Sequence, residues 1–236
     1  LKRINLELGG SAPCVVFADA DLDQTVAGIS RAAMAHSGQV CVAASRVIAD
    51  QSIVGELQKR LTDRLANLKL GAADSAASQL GPLIDERSAE RMSGLIAQSR
   101  DVGELVLEGT RAGGELAGGS FISPSLVHVR DSNADFLQQE IFGPMLTVDT
   151  FSDEDEAAEK ANNTRYGLAA SVWTADQQRG MRLANRIKSG TVWLNSHSKF
   201  HSETETGGYR ESGLGRLHGV EGLEEFLQTK HISWQT

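Results

Sequence analysis

Short apolar runs rich in β-branched residues alternate along this chain with longer stretches whose apolar positions recur at helical spacing. Val15-Val16-Phe17 reads as a buried strand. The acidic Asp19-Ala-Asp-Leu-Asp23 behind it can cap a helix running to about His36. Ser45 to Ala49 is a second strand. Val54, Leu57, Leu61, Leu65 and Leu68 then share one face of a helix from about Ile53 to Leu68. A polar linker, Gly71 to Ser78, leads to a helix near Arg87 to Ser99. Glu104 to Glu108, a Gly-rich loop over Gly109 to Gly119, and Phe121 to Val129 follow as strand, loop and strand. Strands at Met145–Phe151, Ala169–Trp173 and Gly190–Leu194 alternate with helices at Asp153–Ala161 and Gln177–Ile187. This order predicts an α/β fold, a largely parallel sheet flanked by helices. The polar, glycine-rich stretch Ser196 to Gly219 is too long for a casual connection and is expected to be functional. A short helix near Val220 to Leu227 and a terminal strand, His231 to Trp234, complete the pattern.

With 236 residues, 40% of them hydrophobic, the chain can bury a real core without a disulfide or metal staple. Lys and Arg total 23 against 31 Asp and Glu, and no long basic cluster occurs, which argues against a nucleic-acid partner. No apolar run approaches the roughly 18 to 20 residues of a membrane span. Cys14 and Cys41 are too few for a disulfide framework, so a reducing, cytoplasmic setting is expected. The sequence starts at Leu1 without an initiator Met, which leads us to expect a piece of something longer.

Three places carry candidate chemistry. Cys41 lies in Ser37-Gly-Gln-Val-Cys-Val-Ala-Ala-Ser-Arg46, between a helix and a strand, where glycine and free backbone N–H groups could hold an oxyanion beside the sulfur. Locally, the ordinary alternative of a small buried hydrophobe is the stronger reading, and more so for Cys14. Glu7, between two leucines and before Gly9-Gly10, is either a general base with a raised pKa or a water-facing residue of an edge strand. Gln139-Glu-Ile-Phe-Gly-Pro144 offers a carboxylate and an aromatic ring at a turn, to touch a ribose and a flat ring or merely to pack. Two decoys are set aside. Gly213-Leu-Gly-Arg-Leu-His-Gly219 resembles a dinucleotide fingerprint but has no clean apolar strand before it. His197 and His201 are four apart but lack a third metal ligand.

Each signal is weak alone; their order is not. Leu6-Glu-Leu-Gly-Gly10, Gly38-Gln-Val-Cys41, Glu140-Ile-Phe-Gly-Pro144, Asn163-Thr-Arg-Tyr-Gly-Leu-Ala169, Gly190-Thr-Val-Trp-Leu-Asn195 and Gly207-Gly-Tyr-Arg-Glu-Ser-Gly-Leu-Gly-Arg216 follow one another as in the NAD(P)-dependent aldehyde dehydrogenase superfamily, which the chain resembles from Leu6 onward. The resemblance implies that Cys41 is the nucleophile forming a thiohemiacetal and then a thioester. It implies that Glu7 is the base activating the hydrolytic water. Glu140 matches the carboxylate on the nicotinamide-side ribose, Phe142 the ring beside the nicotinamide, and Gly9 a backbone position at the cofactor. NAD or NADP, an aldehyde substrate and a homo-oligomer are implied with them.

Departures accompany the match. Ser11 stands where many members have Lys, His36-Ser37 replace Asn-Gln, Glu205-Thr206 replace Pro-Phe, and Arg210 replaces Lys. Several fall where the family lines its aldehyde tunnel. By resemblance, residues 1–9 are the last strand of a missing cofactor-binding domain, left without its sheet. Residues 10–218 are then the catalytic domain, and 219–236 a C-terminal helix and oligomerisation strand. The isolated chain is expected to be inactive as a dehydrogenase. The alternatives are a slow cofactor-independent thiol esterase and a non-catalytic oligomerisation module.

Overall fold

Apolar stretches without alternation become strands buried on both faces, and those with helical period become the covering helices. In the computed structural model, which describes residues 2–236, the first elements are β1 (Leu6–Glu7), β2 (Ala12–Val16), α1 (Leu22–Met34), β3 (Ala44–Asp50) and α2 (Val54–Ala66). Next come α3 (Glu86–Val102), β4 (Gly103–Leu107), β5 (Ser125–Val129), β6 (Met145–Phe151), α4 (Glu154–Asn162), β7 (Ala169–Trp173) and α5 (Gln177–Arg186). β8 (Thr191–Leu194), β9 (Gly213–Leu214) and α6 (Gly219–Glu224) close the order. Seven strands form one sheet in the order β4-β5-β6-β3-β2-β7-β8. Only the β4–β5 pairing is antiparallel, so the expected parallel sheet flanked by helices is the fold observed. Pro13 is tolerated in the central strand β2 because the pairing register with β3 shifts between Ala12 and Pro13.

The helices start where acidic side chains cap them. Asp21 accepts from the Asp23 and Gln24 amides at 3.0 and 3.1 Å, Asp85 from Ser88 at 2.8 Å, and Asp153 from Glu156 at 2.9 Å. On one sheet face, α1 and α2 bury Val26, Ile29, Leu57, Leu61 and Leu65 against Cys14, Val16, Val47 and Leu146. On the other, α4 and α5 bury Ala157, Ala161, Leu183 and neighbouring Ile187 against Val15, Ile48 and Val172. Among the described residues, no helix is long and apolar enough to cross a membrane.

Two expectations need correction. The terminal segment His231 to Trp234 forms no strand: an extended chain becomes one only by sharing backbone hydrogen bonds, and no sheet edge of this chain meets it. Ile232 and Trp234 are 82% and 87% exposed. The N-terminal segment, whose Leu1 lies outside the described residues, is not wholly without a sheet, because β1 pairs antiparallel with β9.

Candidate active site

Because β2, β3, β6, β7 and β8 run in one direction, the segments preceding them gather along one rim of the sheet. Gly9-Gly10, Gly38 to Ala43, Glu140 to Pro144, Arg165 to Leu168 and Gly190 all arrive there. Open α/β sheets usually bind ligands at the carboxyl ends of their strands. At that opposite rim the polar groups are committed to each other. The Thr174 hydroxyl donates to Asp19 at 2.8 Å, and Asn195 exchanges two 2.9 Å hydrogen bonds with the Thr174 backbone. The chemistry-bearing residues sit at the amino ends instead.

Cys41 is held by a strained turn. His36, Ser37 and Gly38 follow one another in the left-handed region, with φ of 48°, 60° and 75°. For the two non-glycine residues this costs about 1–2 kcal/mol each. Local hydrogen bonds offset it: the Gln39 side chain donates to the His36 carbonyl at 2.9 Å, and the Ser37 hydroxyl donates to the Gly81 carbonyl at 2.8 Å. A Cβ on Gly38 would stand 2.2 Å from the Gly143 carbonyl oxygen, so this turn and the Phe-Gly-Pro turn touch through bare backbone. Likewise, a Cβ on Gly10 would stand 2.2 Å from the Cys41 carbonyl oxygen. Gly10→Ala must therefore displace the backbone of Cys41. We expect it to cost about 1–3 kcal/mol in a denaturant melt and to change the alkylation rate of Cys41; an unchanged melt and rate would contradict this packing.

Glu140 folds back on the glycine pair. Its Oε1 accepts from the Gly10 amide at 3.0 Å, and a Cβ on Gly9 would fall 2.8 Å from Oε2. Phe142 adopts φ 46° and is 41% exposed, an unusual state for a large apolar residue. Arg91 of α3 clamps this turn, donating to the Ile141 carbonyl and, at 3.0 Å, to that of Phe142. Glu7 reaches the rim on β1, where Glu7 faces Gly213 and the next amide, Leu8, donates to the Ser212 carbonyl at 3.0 Å.

The electrostatics favour neutral forms. Burial pushes the half-buried Cys41 thiol above its ordinary range. The Val42 N–H opposes that shift, and the negative charges of Glu140 and then Glu7 add to it. Burial also raises Glu140, opposed by the Gly10 amide and Arg91. Glu7, though exposed as a whole residue, is raised by partial burial of its carboxyl, against the pull of Arg216 and His218. So Cys41, Glu7 and Glu140 share one electrostatic neighbourhood. Cys14, fully buried in β2, is pushed up to about 12 by burial and stays an inert thiol. Removing one negative charge with Glu140→Gln should make the thiolate easier to form. The Cys41 alkylation profile then moves to lower pH, and a shift to higher pH would refute this arrangement.

Two residues at the site escaped sequence reasoning. Arg91 looks like any helical surface arginine. His197, met as half of a doubtful metal pair, is 3% exposed and bonded to the Val42 carbonyl, whereas His201 is exposed. Among the described residues no cluster of three or more metal-ligating side chains occurs. The fingerprint-like Gly213 to Gly219 straddles β9 and the start of the six-residue α6, without a parallel strand leading into it.

Comparison with known proteins gives the family and matches the fold. The family model described as "Aldehyde dehydrogenase family" matches residues 1–232. Betaine aldehyde dehydrogenase of Bacillus subtilis (strain 168) is 38% identical over 234 residues, covering 98% of this chain and 48% of that protein. "Aldehyde dehydrogenase, cytosolic 1" of Rattus norvegicus is 38% identical over 235 residues, covering 99% and 46%. A crystal structure of betaine aldehyde dehydrogenase from Staphylococcus aureus in complex with NAD+ superposes with a TM-score of 0.94 at 36% identity, covering 98% of this chain and 46% of that one. The chain thus spans about half the length of the curated relatives it matches. On the family model, the ordered motifs and the superposed fold together, this chain belongs to the aldehyde dehydrogenase family.

Proposed function

We propose that this chain is the catalytic portion of an enzyme that oxidises an aldehyde to a carboxylic acid with NAD or NADP. The observation that carries the reading is the convergence of one half-buried thiol, Cys41, with two carboxylates, Glu7 and Glu140, at a single rim. A thiol held in its neutral form at pH 7 must lose its proton, here to solvent, before it attacks, and Glu7, with its raised proton affinity, suits the later activation of water. The Cys41 sulfur then bonds to the aldehyde carbon, giving a thiohemiacetal whose oxygen faces the backbone N–H of Cys41. A bound nicotinamide dinucleotide supplies the two-electron acceptor that converts this adduct to a thioester. Glu7 takes a proton from water as it adds to the thioester carbon; the C–S bond breaks, releasing the acid, and the proton held by Glu7 passes to the departing sulfur to restore the Cys41 thiol.

The residues present fit such a cofactor. The Glu140 carboxylate is an acceptor suited to ribose hydroxyls, and the exposed Phe142 ring offers a face to a flat heterocycle. Gly9 lets Glu140 lie close to the backbone between them and the thiol. In this reading residues 1–9 are the last strand of a cofactor-binding portion, 10–218 the catalytic domain and 219–236 a helix and tail for assembly. The exposed Ile232 and Trp234 suit pairing with a second copy of the chain in a homo-oligomer. A cytoplasmic location accords with two unpaired cysteines.

The test is made on the protein expressed from the whole reading frame that contains this chain. Incubation with a simple aldehyde and NAD+ or NADP+ should give reduced dinucleotide and acid in equal amounts. Ester cleavage without any dinucleotide reduction would replace this reading with the thiol esterase.

A further inference from the structure

A buried polar group beside the Cys41 turn that the chemistry above does not use is the His197 imidazole. It lies just past β8, buried beneath the turn, with its ring centroid 4.7 Å from that of Trp193. Its Nε2 is 2.8 Å from the Val42 carbonyl oxygen, and its Nδ1 is 3.0 Å from the Ser171 hydroxyl. A carbonyl only accepts, so Nε2 must carry the proton. The site is apolar, and burial lowers the imidazole to about 4, so the ring is neutral and Nδ1 is bare. The Ser171 O–H therefore donates to Nδ1, while its oxygen accepts from Trp173 Nε1 at 3.0 Å. Trp173, Ser171, His197 and the Val42 carbonyl form one hydrogen-bonded chain in which Nε2 donates to the carbonyl. The Cys14 sulfur, 3.7 Å from Nδ1, is a second partner on that side of the ring and leaves the Nε2 donation to the carbonyl in place. The chain ends on the residue whose own N–H supports the Cys41 sulfur.

We propose that His197 is a positioning residue for the nucleophile: by donating to the Val42 carbonyl it fixes the 41–43 turn, so that the Val42 N–H stays aimed at the Cys41 sulfur. The inference rests on Cys41 being the reacting group. Its test, however, reads the thiol directly and needs neither cofactor nor turnover.

The rate of Cys41 alkylation by iodoacetamide is measured across pH in the chain as it stands, with peptide mapping to separate it from Cys14. His197→Phe, which keeps the ring but loses the donor, should slow alkylation at neutral pH by roughly ten-fold, the loss of one hydrogen bond to the thiolate. It should also move the profile to higher pH. His197→Gln, whose amide nitrogen can occupy the place of Nε2, should restore most of the rate. A wild-type profile in His197→Phe, or equal slowing in both variants, would overturn the proposal. Should His197→Phe fail to fold, His197→Met, which also lacks a donor, carries the test: slower alkylation is expected and an unchanged profile overturns the proposal. If Cys41→Ala retains turnover while the His197 effect is present, the positioning stands and the nucleophile assignment fails.

Discussion

Cys41→Ala in the full-length protein should lower aldehyde-dependent dinucleotide reduction by at least about 10⁴-fold. Among the described residues of this neighbourhood the thiol is the strongest nucleophile and, as thiolate, a good leaving group. Cys14 cannot replace it, being fully buried in β2 with a thiol pushed up to about 12. The fold should hardly notice the change. Cys41 is half-buried at a rim, and losing one sulfur there should cost less than about 1 kcal/mol. Steady-state turnover within ten-fold of wild type, in a variant that melts normally, would show that the covalent step uses another residue.

Glu7→Gln should separate the two halves of the reaction. Without its base, hydrolysis of the acyl-enzyme should slow by about 10²–10⁴-fold. Dinucleotide reduction then shows a burst of one equivalent per site followed by a slow phase. The same variant removes one of the two carboxylate charges that raise the Cys41 thiol. Its alkylation by iodoacetamide at neutral pH should therefore become faster, not slower. Slower turnover with a more reactive thiol is a pair of opposite changes that general misfolding does not produce. Glu7 is on a short exposed strand, so little structural loss is expected. A uniform slowing without a burst would place Glu7 before the thioester instead of after it.

The sheet was legible because its strands are short runs rich in apolar and β-branched residues, bounded by polar or glycine-containing segments. Met145–Phe151 and Ala169–Trp173 were read to the residue, and the helices over α2 and α5 nearly so. The shortest pairings left no such signature. β1 and β9 contribute two residues each, and β9 starts at a glycine that lets the Leu6 carbonyl approach within 2.3 Å of where a Cβ would be. The terminal segment failed for the opposite reason. His231 to Trp234 has strand composition, but composition supplies no partner.

Legibility of the site was uneven in a similar way. Gly10 and Gly38 could be marked as turn formers, yet only the fold reveals that each is bare because another segment's carbonyl presses on it. Cys41 read locally as an ordinary buried cysteine, and only the order of motifs along the chain distinguished it. His197 and Arg91 act through backbone carbonyls far away in sequence, at separations of 155 and 51 residues. No periodicity or local motif encodes such contacts.

The central claim is that an acyl group passes through the Cys41 sulfur. It is tested most directly by intact-mass and peptide-mapping measurement of the Glu7→Gln full-length protein, quenched in acid after incubation with aldehyde and dinucleotide. The predicted result is one adduct per chain, equal in mass to the aldehyde less two hydrogens, mapped to Cys41 and released by hydroxylamine. Full reduction of dinucleotide with no adduct, or the same adduct on any other residue, would contradict it.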